Sequence, residues 1–521
     1  LKELSFHHIA YDLGDEQIIA ALGRVENGKL LVGCGCYDTV VIKQCQTVSN
    51  AVYRLLIAFI QAGGKVYLCD DMLVRIDGKL ADLQDLLTAC ESVPVSQLLT
   101  MLAAQNSYQL EQEDGGFVSD ILVHPRQLED ENLYFIVNHS VTQEKHFLFT
   151  ERNEFSAVEY DCLTGKISDC PVGCKNGRSV LNIDLRPGQS VVIGTRCQKG
   201  KSQKIMPPHE IATLSNPDAV TPHRDNVLVL DICKGVMGDL EVSGEVWQVQ
   251  RRLREKLGLK PIWYNGQVQR YKWIKEAACS APASLVFPFY SETEIAEAYL
   301  AVEQIDRFRI YCNGKEQKEL TEQYFLDRSI GMVKIRHICK GKNEIALQFV
   351  LDNPLELENI YLLGNFGVSP ERRLTEIPQT ITLGDYTAQG YYHYTGEMEY
   401  RFSLVMSPSE ECHYLLELTD IMGANVEVSV NGIYCGDYPW AGRNPIDITD
   451  ALQNGNNDIV LIHTNTTRNV FGPFHDKRGK IAWTDWQVFR TEKDRYSEAY
   501  EVVPNGLFGP VRILEQGKGE K

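Results

Sequence analysis

Aromatic and polar side chains of the kinds that bind sugars are concentrated between residues 438 and 486. Sugars present flat C–H faces to aromatic rings and present hydroxyl groups to polar side chains that can bond twice. Loops at one end of a β-sandwich can supply both kinds of group on a rigid frame. The pattern predicts a carbohydrate-binding surface, with packing against a sheet or another domain as the alternative. The candidate residues are Tyr438, Trp440, Arg443, Asn444, Arg468, Asn469, Phe474, His475 and Trp486.

Acidic pairs are the second type of residue that could do chemistry. Glycoside hydrolysis uses two carboxyl groups about 5–10 Å apart in a cleft, and adjacency in sequence does not provide that geometry. The pairs here are Asp70-Asp71, Glu410-Glu411 and Asp447 with Asp450. The Asp-Ile-Thr-Asp sequence at 447–450 indicates a turn that leads into a short helical segment. A structural Ca²⁺ there stays open, and no other cofactor or metal is predicted.

The segment Gly33-Cys34-Gly35-Cys36-Tyr37 comes close to a thiol nucleophile elbow. An elbow requires glycines two residues before and two residues after the cysteine, and a helix after it. Neither cysteine has those glycines, and a strand follows. The sequence therefore identifies no catalytic residue, and whether the chain belongs to an enzyme stays open.

Composition narrows the classes of partner. The 521 residues carry a net charge of −18 with scattered acidic groups, and such a field repels phosphate backbones. No apolar run of about 18 residues is present. We therefore expect no nucleic-acid and no membrane partner. The 15 cysteines show no disulfide framework, which favours a cytoplasmic location, while export stays open because the sequence starts at Leu1 without a methionine.

The periodicity of apolar residues divides the chain into domains. A strand at 39–42, an amphipathic helix at 50–61 and a strand at 65–69 predict a βαβ unit. Short strands at 134–138, 146–150, 180–185 and 190–194 then predict an all-β unit. Residues 30–70 resemble an amidotransferase-like or flavodoxin-like α/β domain, and the resemblance implies that fold for residues 1–116. The other predicted domains are a small β-sandwich (117–197), a linker (198–224), a β-sandwich with a helical insertion (225–380) and a jelly-roll sandwich (381–521).

A weak internal repeat supports the last two domains. The turn Asn313-Gly314 follows an apolar strand, and the turn Asn431-Gly432 does the same about 115 residues later. In both copies a Gly-x-Asn stretch leads the next strand, at 341–343 and at 455–457. Asn-Gly between alternating apolar residues is a strong hairpin signal. The spacing is close to the size of one sandwich domain, so we expect two tandem sandwiches and a multidomain, mainly β protein.

The second copy resembles the galactose-binding-like, sugar-binding domain of β-galactosidase-type glycoside hydrolases. The resemblance lies in Asn431-Gly432, in the stretch Asp447-Ile448-Thr449-Asp450-Ala451-Leu452, and in Gly455-Asn456. It implies a jelly-roll fold more strongly than it implies a particular ligand.

Most of the chain is similar to the C-terminal region of large bacterial α-L-rhamnosidases of family 106. In such families the catalytic carboxylates lie on a (β/α)₈ barrel, and the sequence shows no eightfold alternation of strand and helix. The resemblance implies a carbohydrate-binding accessory portion, with the barrel upstream on the same polypeptide. A stand-alone carbohydrate-binding or adhesion module is the alternative. The similar stretches are 358–368, 467–469, 472–475 and 504–511.

Overall fold

The computed structural model divides the chain into two compact units, Leu1–Ile205 and Met206–Lys521. We describe each unit by itself. The described residues are 2–43, 45–69, 74–197, 207–260, 279–440, 444–478, 484 and 488–517.

The first unit begins with small α/β layers. Strands β4 and β6 are parallel, with Thr39 opposite Lys65, and helix α3 connects them. Leu56 and Phe59 on α3 are buried against Val66 and Leu86, so the helix covers the sheet as an amphipathic crossover should. The elements are α1 (Lys2–Phe6), α2 (Glu16–Leu22), β1 (Gly23–Glu26), β2 (Lys29–Val32), β3 (Gly35–Tyr37), β4 (Thr39–Lys43), β5 (Thr47–Val48), α3 (Asn50–Gln61), β6 (Lys65–Cys69), β7 (Arg75–Ile76), β8 (Lys79–Leu80), α4 (Gln84–Ala89), β9 (Glu91–Ser92) and α5 (Val95–Ala103).

A small antiparallel sandwich completes the first unit. One sheet has the order β10-β13-β17-β16 and the other β11-β12-β18-β14-β15. Alternate residues such as Tyr134, Phe149 and Ile183 meet in the core between the sheets. The strands are β10 (Tyr108–Glu111), β11 (Ile121–Gln127), β12 (Asn132–Asn138), β13 (Lys145–Glu151), β14 (Ser156–Tyr160), β15 (Ile167–Cys170), β16 (Val172–Lys175), β17 (Arg178–Leu185) and β18 (Ser190–Arg196).

The second unit contains two β-sandwiches, and residues 209–222 belong to the later one. The prediction of a linker over 198–224 is wrong for β19 (His209–Leu214) and β20 (Ala219–Pro222), because both are paired strands. Their partners come from the end of the chain and from the start of the later sandwich. Local composition could not reveal pairing at a separation of up to about 300 residues.

The first sandwich of the second unit consists of a five-stranded sheet, β21-β31-β25-β29-β28, and an eight-stranded sheet that contains β22, β24 and β30. Helix α6 lies against β22 and β23, where Gly235 leaves room for Val249. The elements are β21 (Asn226–Leu230), β22 (Ile232–Met237), β23 (Leu240–Glu245), α6 (Val246–Leu257), β24 (Ala281–Ser291), β25 (Ile295–Glu303), β26 (Arg309–Cys312), β27 (Lys315–Gln317), β28 (Leu320–Tyr324), β29 (Ile330–Ile338), β30 (Gly341–Leu351), β31 (Ile360–Gly364), β32 (Gly367–Val368) and β33 (Arg373–Thr375).

The second sandwich pairs the sheets β20-β34-β40-β37-β38 and β19-β42-β35-β39 around one core. Its elements are β34 (Glu397–Met406), β35 (Cys412–Leu418), β36 (Ile421–Met422), β37 (Asn425–Val430), β38 (Ile433–Tyr438), β39 (Ile446–Asp447), β40 (Gly455–Thr464), α7 (Arg468–Phe471), β41 (Gly506–Leu507) and β42 (Val511–Gly517). Single turns of 3₁₀ helix lie at Ile305–Arg307, Tyr386–Gln389, Thr449–Ala451 and Lys493–Arg495.

The internal repeat is a pair of identical hydrogen-bond arrangements, which we call the asparagine clasps. In the first sandwich Asn313 Nδ2 donates to Asn343 Oδ1 at 2.8 Å, and in the second Asn431 Nδ2 donates to Asn457 Oδ1 at 2.8 Å. In each copy the hairpin asparagine also accepts, at 3.0 Å, the N–H of the strand residue after its partner. Asn313 and Asn431 both have positive φ, 48° and 52°, which asparagine tolerates.

The predicted fold class is therefore confirmed: the protein is multidomain and mainly β, with several antiparallel sheets. Within the described part of the chain, no helix has the length and apolarity needed to cross a bilayer.

Candidate functional site

Two of the segments that carry candidate residues leave the second sandwich at the same end. Tyr438 in β38 and His463 in β40 both lie opposite Val426 in β37, on its two sides. Both strands therefore finish at the edge where β37 begins. Trp440 follows β38 by two residues, and Arg468 starts α7 four residues after β40.

Trp440 and Arg468 carry buried N–H groups that nothing in the described structure accepts. The atoms are Trp440 Nε1, Arg468 Nε and Arg468 Nη2. Arg468 Nη1 donates to the carbonyl oxygen of Glu501 at 3.3 Å. Each buried, unpaired donor destabilises a protein by about 1–3 kcal/mol, so an acceptor that reaches these groups would bind favourably.

Other candidate residues are buried and already have partners. Tyr438 OH donates to the carbonyl oxygen of Leu416 at 2.6 Å. Asn469 bonds the backbone of Val503 twice, both at 2.8 Å. Phe474 is 5% exposed. The polar atoms of Tyr438 and Asn469 are therefore occupied within the fold, and Phe474 packs in an apolar cluster.

Asn444 is exposed just after the loop that contains Trp440. Arg443 and Trp486 lie outside the described residues. Carbohydrate binding by the full set stays a prediction.

The segment that carries Arg468 and His475 extends over the first sandwich. We call it the strap; it comprises the described residues 468–478 and 488–505. Val470 and Phe474 in the strap pack on Val227 and Val229 of β21. Backbone bonds hold its two parts together, including Glu501 N–H to the Phe474 carbonyl at 2.9 Å. The strap therefore links the end of one sandwich to the outer face of the other.

Asp231 anchors the strap to the first sandwich. This carboxylate is 2% exposed between β21 and β22. It accepts a hydrogen bond from Arg372 Nη2 at 2.8 Å, one from His475 Nε2 at 3.1 Å and one from the Tyr500 hydroxyl. The Arg372 guanidinium also stacks on the Tyr500 ring, 3.8 Å from its centroid. A buried carboxylate with three donors is fully paired, which offsets its desolvation.

The groups around Asp231 have shifted pKa values. Burial would raise the pKa of Asp231, but the His475 bond, the Arg372 charge and the Tyr500 bond hold that pKa below its usual range. Burial raises the pKa of Glu245 to about 7, with the Asp231 charge adding to the shift and His475 opposing it. Burial lowers the pKa of His393 to about 3.

Sequence reasoning named His475 and missed Asp231. The available signal was one acid inside the otherwise apolar stretch 227–233. Charged residues are almost never fully buried without partners, so an aspartate in such a stretch predicts a buried ion pair. The partners themselves come from positions more than 100 residues away, and no local pattern identifies them.

The acidic turn at residue 447 is structural. Asp447 Oδ1 accepts hydrogen bonds from Thr449 N at 3.1 Å and from Thr449 Oγ1 at 2.6 Å, and a 3₁₀ turn follows. This confirms the predicted turn and the short helical segment that follows it. Over the described ranges, no three histidine, cysteine or acidic side chains group as metal ligands.

The first unit contains two exposed cysteines and a polar cavity. Cys34 and Cys36 are exposed at a β-hairpin, β2 with β3. A polar cavity of about 240 Å³ lies beside Tyr108, Glu151 and Arg178. The Glu151 carboxylate in that cavity already accepts the hydroxyl of Tyr134 at 2.6 Å.

Comparison with known proteins finds glycoside hydrolases among the solved structures. A rhamnosidase from Novosphingobium sp. PP1Y has a TM-score of 0.49 and 14% identity, over 97% of this chain and 36% of that protein. A GH42 exo-carrageenase from Bacteroides ovatus has a TM-score of 0.28 and 11% identity, and the match covers 38% of this chain and 26% of the exo-carrageenase chain. The chain thus spans about a third of the rhamnosidase. No protein-family model and no curated protein matches the chain.

Proposed function

We propose that this chain is the non-catalytic, C-terminal accessory part of a glycoside hydrolase of the rhamnosidase or β-galactosidase kind. Its second sandwich binds carbohydrate at the end that carries Trp440 and Arg468. The catalytic barrel, in this proposal, belongs to a preceding part of the same polypeptide.

One observation carries the proposal. Trp440 and Arg468 leave the sheet at the same end, and three of their N–H groups are buried without an acceptor among the described residues. Sugar hydroxyl and ring oxygens accept such donors, and an indole ring packs against the C–H face of a pyranose. A neutral sugar is also compatible with a net charge of −18, because it does not interact with the field as an anion does.

Titration calorimetry of the intact chain with rhamnose- and galactose-containing oligosaccharides tests the proposal. We expect binding by the wild type. Trp440→Phe and Arg468→Gln should each weaken it about tenfold, since each removes a hydrogen-bond donor worth about 1.4 kcal/mol.

Trp247→Phe is the matched control. Trp247 lies on α6 of the first sandwich, whereas Trp440 follows β38 of the second, and replacement of Trp247 should leave the affinity unchanged. Equal losses of affinity in Trp440→Phe and Trp247→Phe would show that replacing any tryptophan weakens binding, and that Trp440 has no specific role. If the wild type shows no heat of binding with either class of oligosaccharide, the proposal is contradicted.

A further inference from the structure

His475 is positioned as an imidazolium by geometry alone. Its Nδ1 lies 2.8 Å from the carbonyl oxygen of Ser497, and its Nε2 lies 3.1 Å from Asp231 Oδ2. Both neighbours are acceptors only, so each ring nitrogen must carry a proton to make its bond. A neutral ring would satisfy one acceptor and place a lone pair against the other.

The surroundings support the protonated form. Burial alone would lower the pKa of His475, but the bond to Asp231 and the carboxylate of Glu245 outweigh it and raise the pKa above its usual value of 6.5. His475 is 3% exposed, so water cannot replace a lost bond without movement of the strap.

Titratable or charged groups near His475 come from several parts of the second unit. Asp231 comes from the β21–β22 junction, and Glu245 precedes α6. Arg372 and Tyr500 share Asp231 with it. His393 is held neutral by burial and by the Arg372 charge. The Tyr496 ring stacks on the imidazole, 5.4 Å between centroids.

Asp476, next in the chain, is already paired with Arg478 and Arg495. Those bonds to Asp476 tie the strap to itself. The contact between Asp231 and His475 ties the strap to the first sandwich.

We infer that Asp231 and His475 form a proton-dependent latch, which positions the strap, and with it Arg468, against the first sandwich. The inference about ligand positioning rests on the proposed function, whereas the latch itself can be measured without ligand. Deprotonation of His475 removes one of its two bonds, either the one to Asp231 or the one to Ser497. In either case it also removes the positive charge beside the ionised Asp231, which weakens the contact between the strap and the first sandwich. The strap is then expected to open more often as pH rises.

The sign and size follow from linkage. A histidine whose pKa is raised in the latched state stabilises that state below pH 6.5, and the stabilisation is lost as pH rises through the raised pKa. Between those two values the opening equilibrium grows about tenfold for each pH unit.

Two measurements on the intact chain test the latch. Histidine-selective NMR should show that His475 titrates above pH 6.5, with both nitrogens protonated at pH 6. Hydrogen exchange, corrected for its intrinsic pH dependence, should show strap protection falling between pH 6 and pH 9 in the wild type. In His475→Gln the protection should be low at both pH values.

His223→Gln is the matched control. His223 also bonds two carboxylates, Glu397 at 3.1 Å and Glu399 at 3.0 Å, but it lies on the second sandwich and outside the strap. Its replacement should leave strap protection as in the wild type. Titration of His475 at or below pH 6.5, or pH-independent strap protection, would overturn the latch. If the latch responds but no sugar binds at any pH, the proposed function fails and the latch stands.

Discussion

The two sandwiches of the second unit share the asparagine clasp but differ in how their sheets are covered. In the first sandwich β21 is buried at all five positions, with Leu228 and Leu230 in the core and Val227 and Val229 under the strap. In the second, β40 alternates between buried residues and partly exposed ones. At β21 the sheet therefore has protein on both faces, whereas at β40 one face is partly exposed to solvent.

The comparison distinguishes a feature that stabilises the fold, the asparagine clasp, from one that could serve function, the strap. The clasp occurs in both sandwiches with the same distances, so it stabilises the turn and does not indicate a ligand. The strap occurs once, and it carries Arg468 and His475. Features that the two copies do not share are the better guide to a binding surface.

The largest expected effect comes from uncovering the first sandwich. Phe474→Ala should lower the free energy of unfolding by about 3–5 kcal/mol, because a buried ring packed on Val229 is lost. All six tryptophans lie in the second unit, so denaturation followed by tryptophan fluorescence reports on that unit. Phe508→Ala is the control, since Phe508 is 37% exposed and should matter by less than about 1 kcal/mol. Similar losses would mean that the strap does not cover the sheet.

The next largest effect is the pH dependence of the stability of the first sandwich. The pKa of Glu245 is raised from 4.5 to about 7, so its protonated form stabilises the fold below pH 4.5 and that stabilisation is lost as pH rises to 7. The difference corresponds to about 3 kcal/mol. Glu245→Gln should flatten the change in unfolding free energy between pH 4.5 and 7. An unchanged slope in this variant would exclude Glu245 as its source.

Asp231 acts in the opposite direction. Its pKa is lowered, so its contribution to stability is present above pH 3.8 and is lost as the pH falls. The urea midpoint of the wild type should therefore be highest in the mildly acidic range between these two effects.

The smallest predicted effect tests the shared feature. Asn343→Ala and Asn457→Ala should each lower stability by about 2 kcal/mol, because each leaves buried backbone groups without partners. The two losses should agree within about 1 kcal/mol. A large loss in one sandwich and none in the other would show that the two clasps are not equivalent.

Local patterns predicted the elements whose signals lie close together in the sequence. The βαβ unit follows from periodicity, the predicted helical insertion corresponds to α6, and both asparagine hairpins follow from their turn residues. These features depend on neighbours within about ten residues, which the sequence displays directly.

The rest depends on distant partners. Strands β19 and β20 were missed because they pair with the second sandwich across the whole of the first. Asp231 and its partners were missed for the same reason, since its donors lie at 372, 475 and 500. The candidate sugar-binding set was chosen by residue type, and residue type did not distinguish the partnered Tyr438 and Asn469 from the unpaired donors of Trp440 and Arg468.

Indole N–H resonances test the central claim most directly. In ¹⁵N-tryptophan-labelled protein, Trp440→Phe identifies the Trp440 signal and Trp247→Phe identifies that of Trp247. On titration with a rhamnose- or galactose-containing oligosaccharide, we predict a saturable shift of the Trp440 signal with the Trp247 signal fixed. A Trp440 signal that stays in place at saturating sugar would contradict carbohydrate binding at this end of the second sandwich.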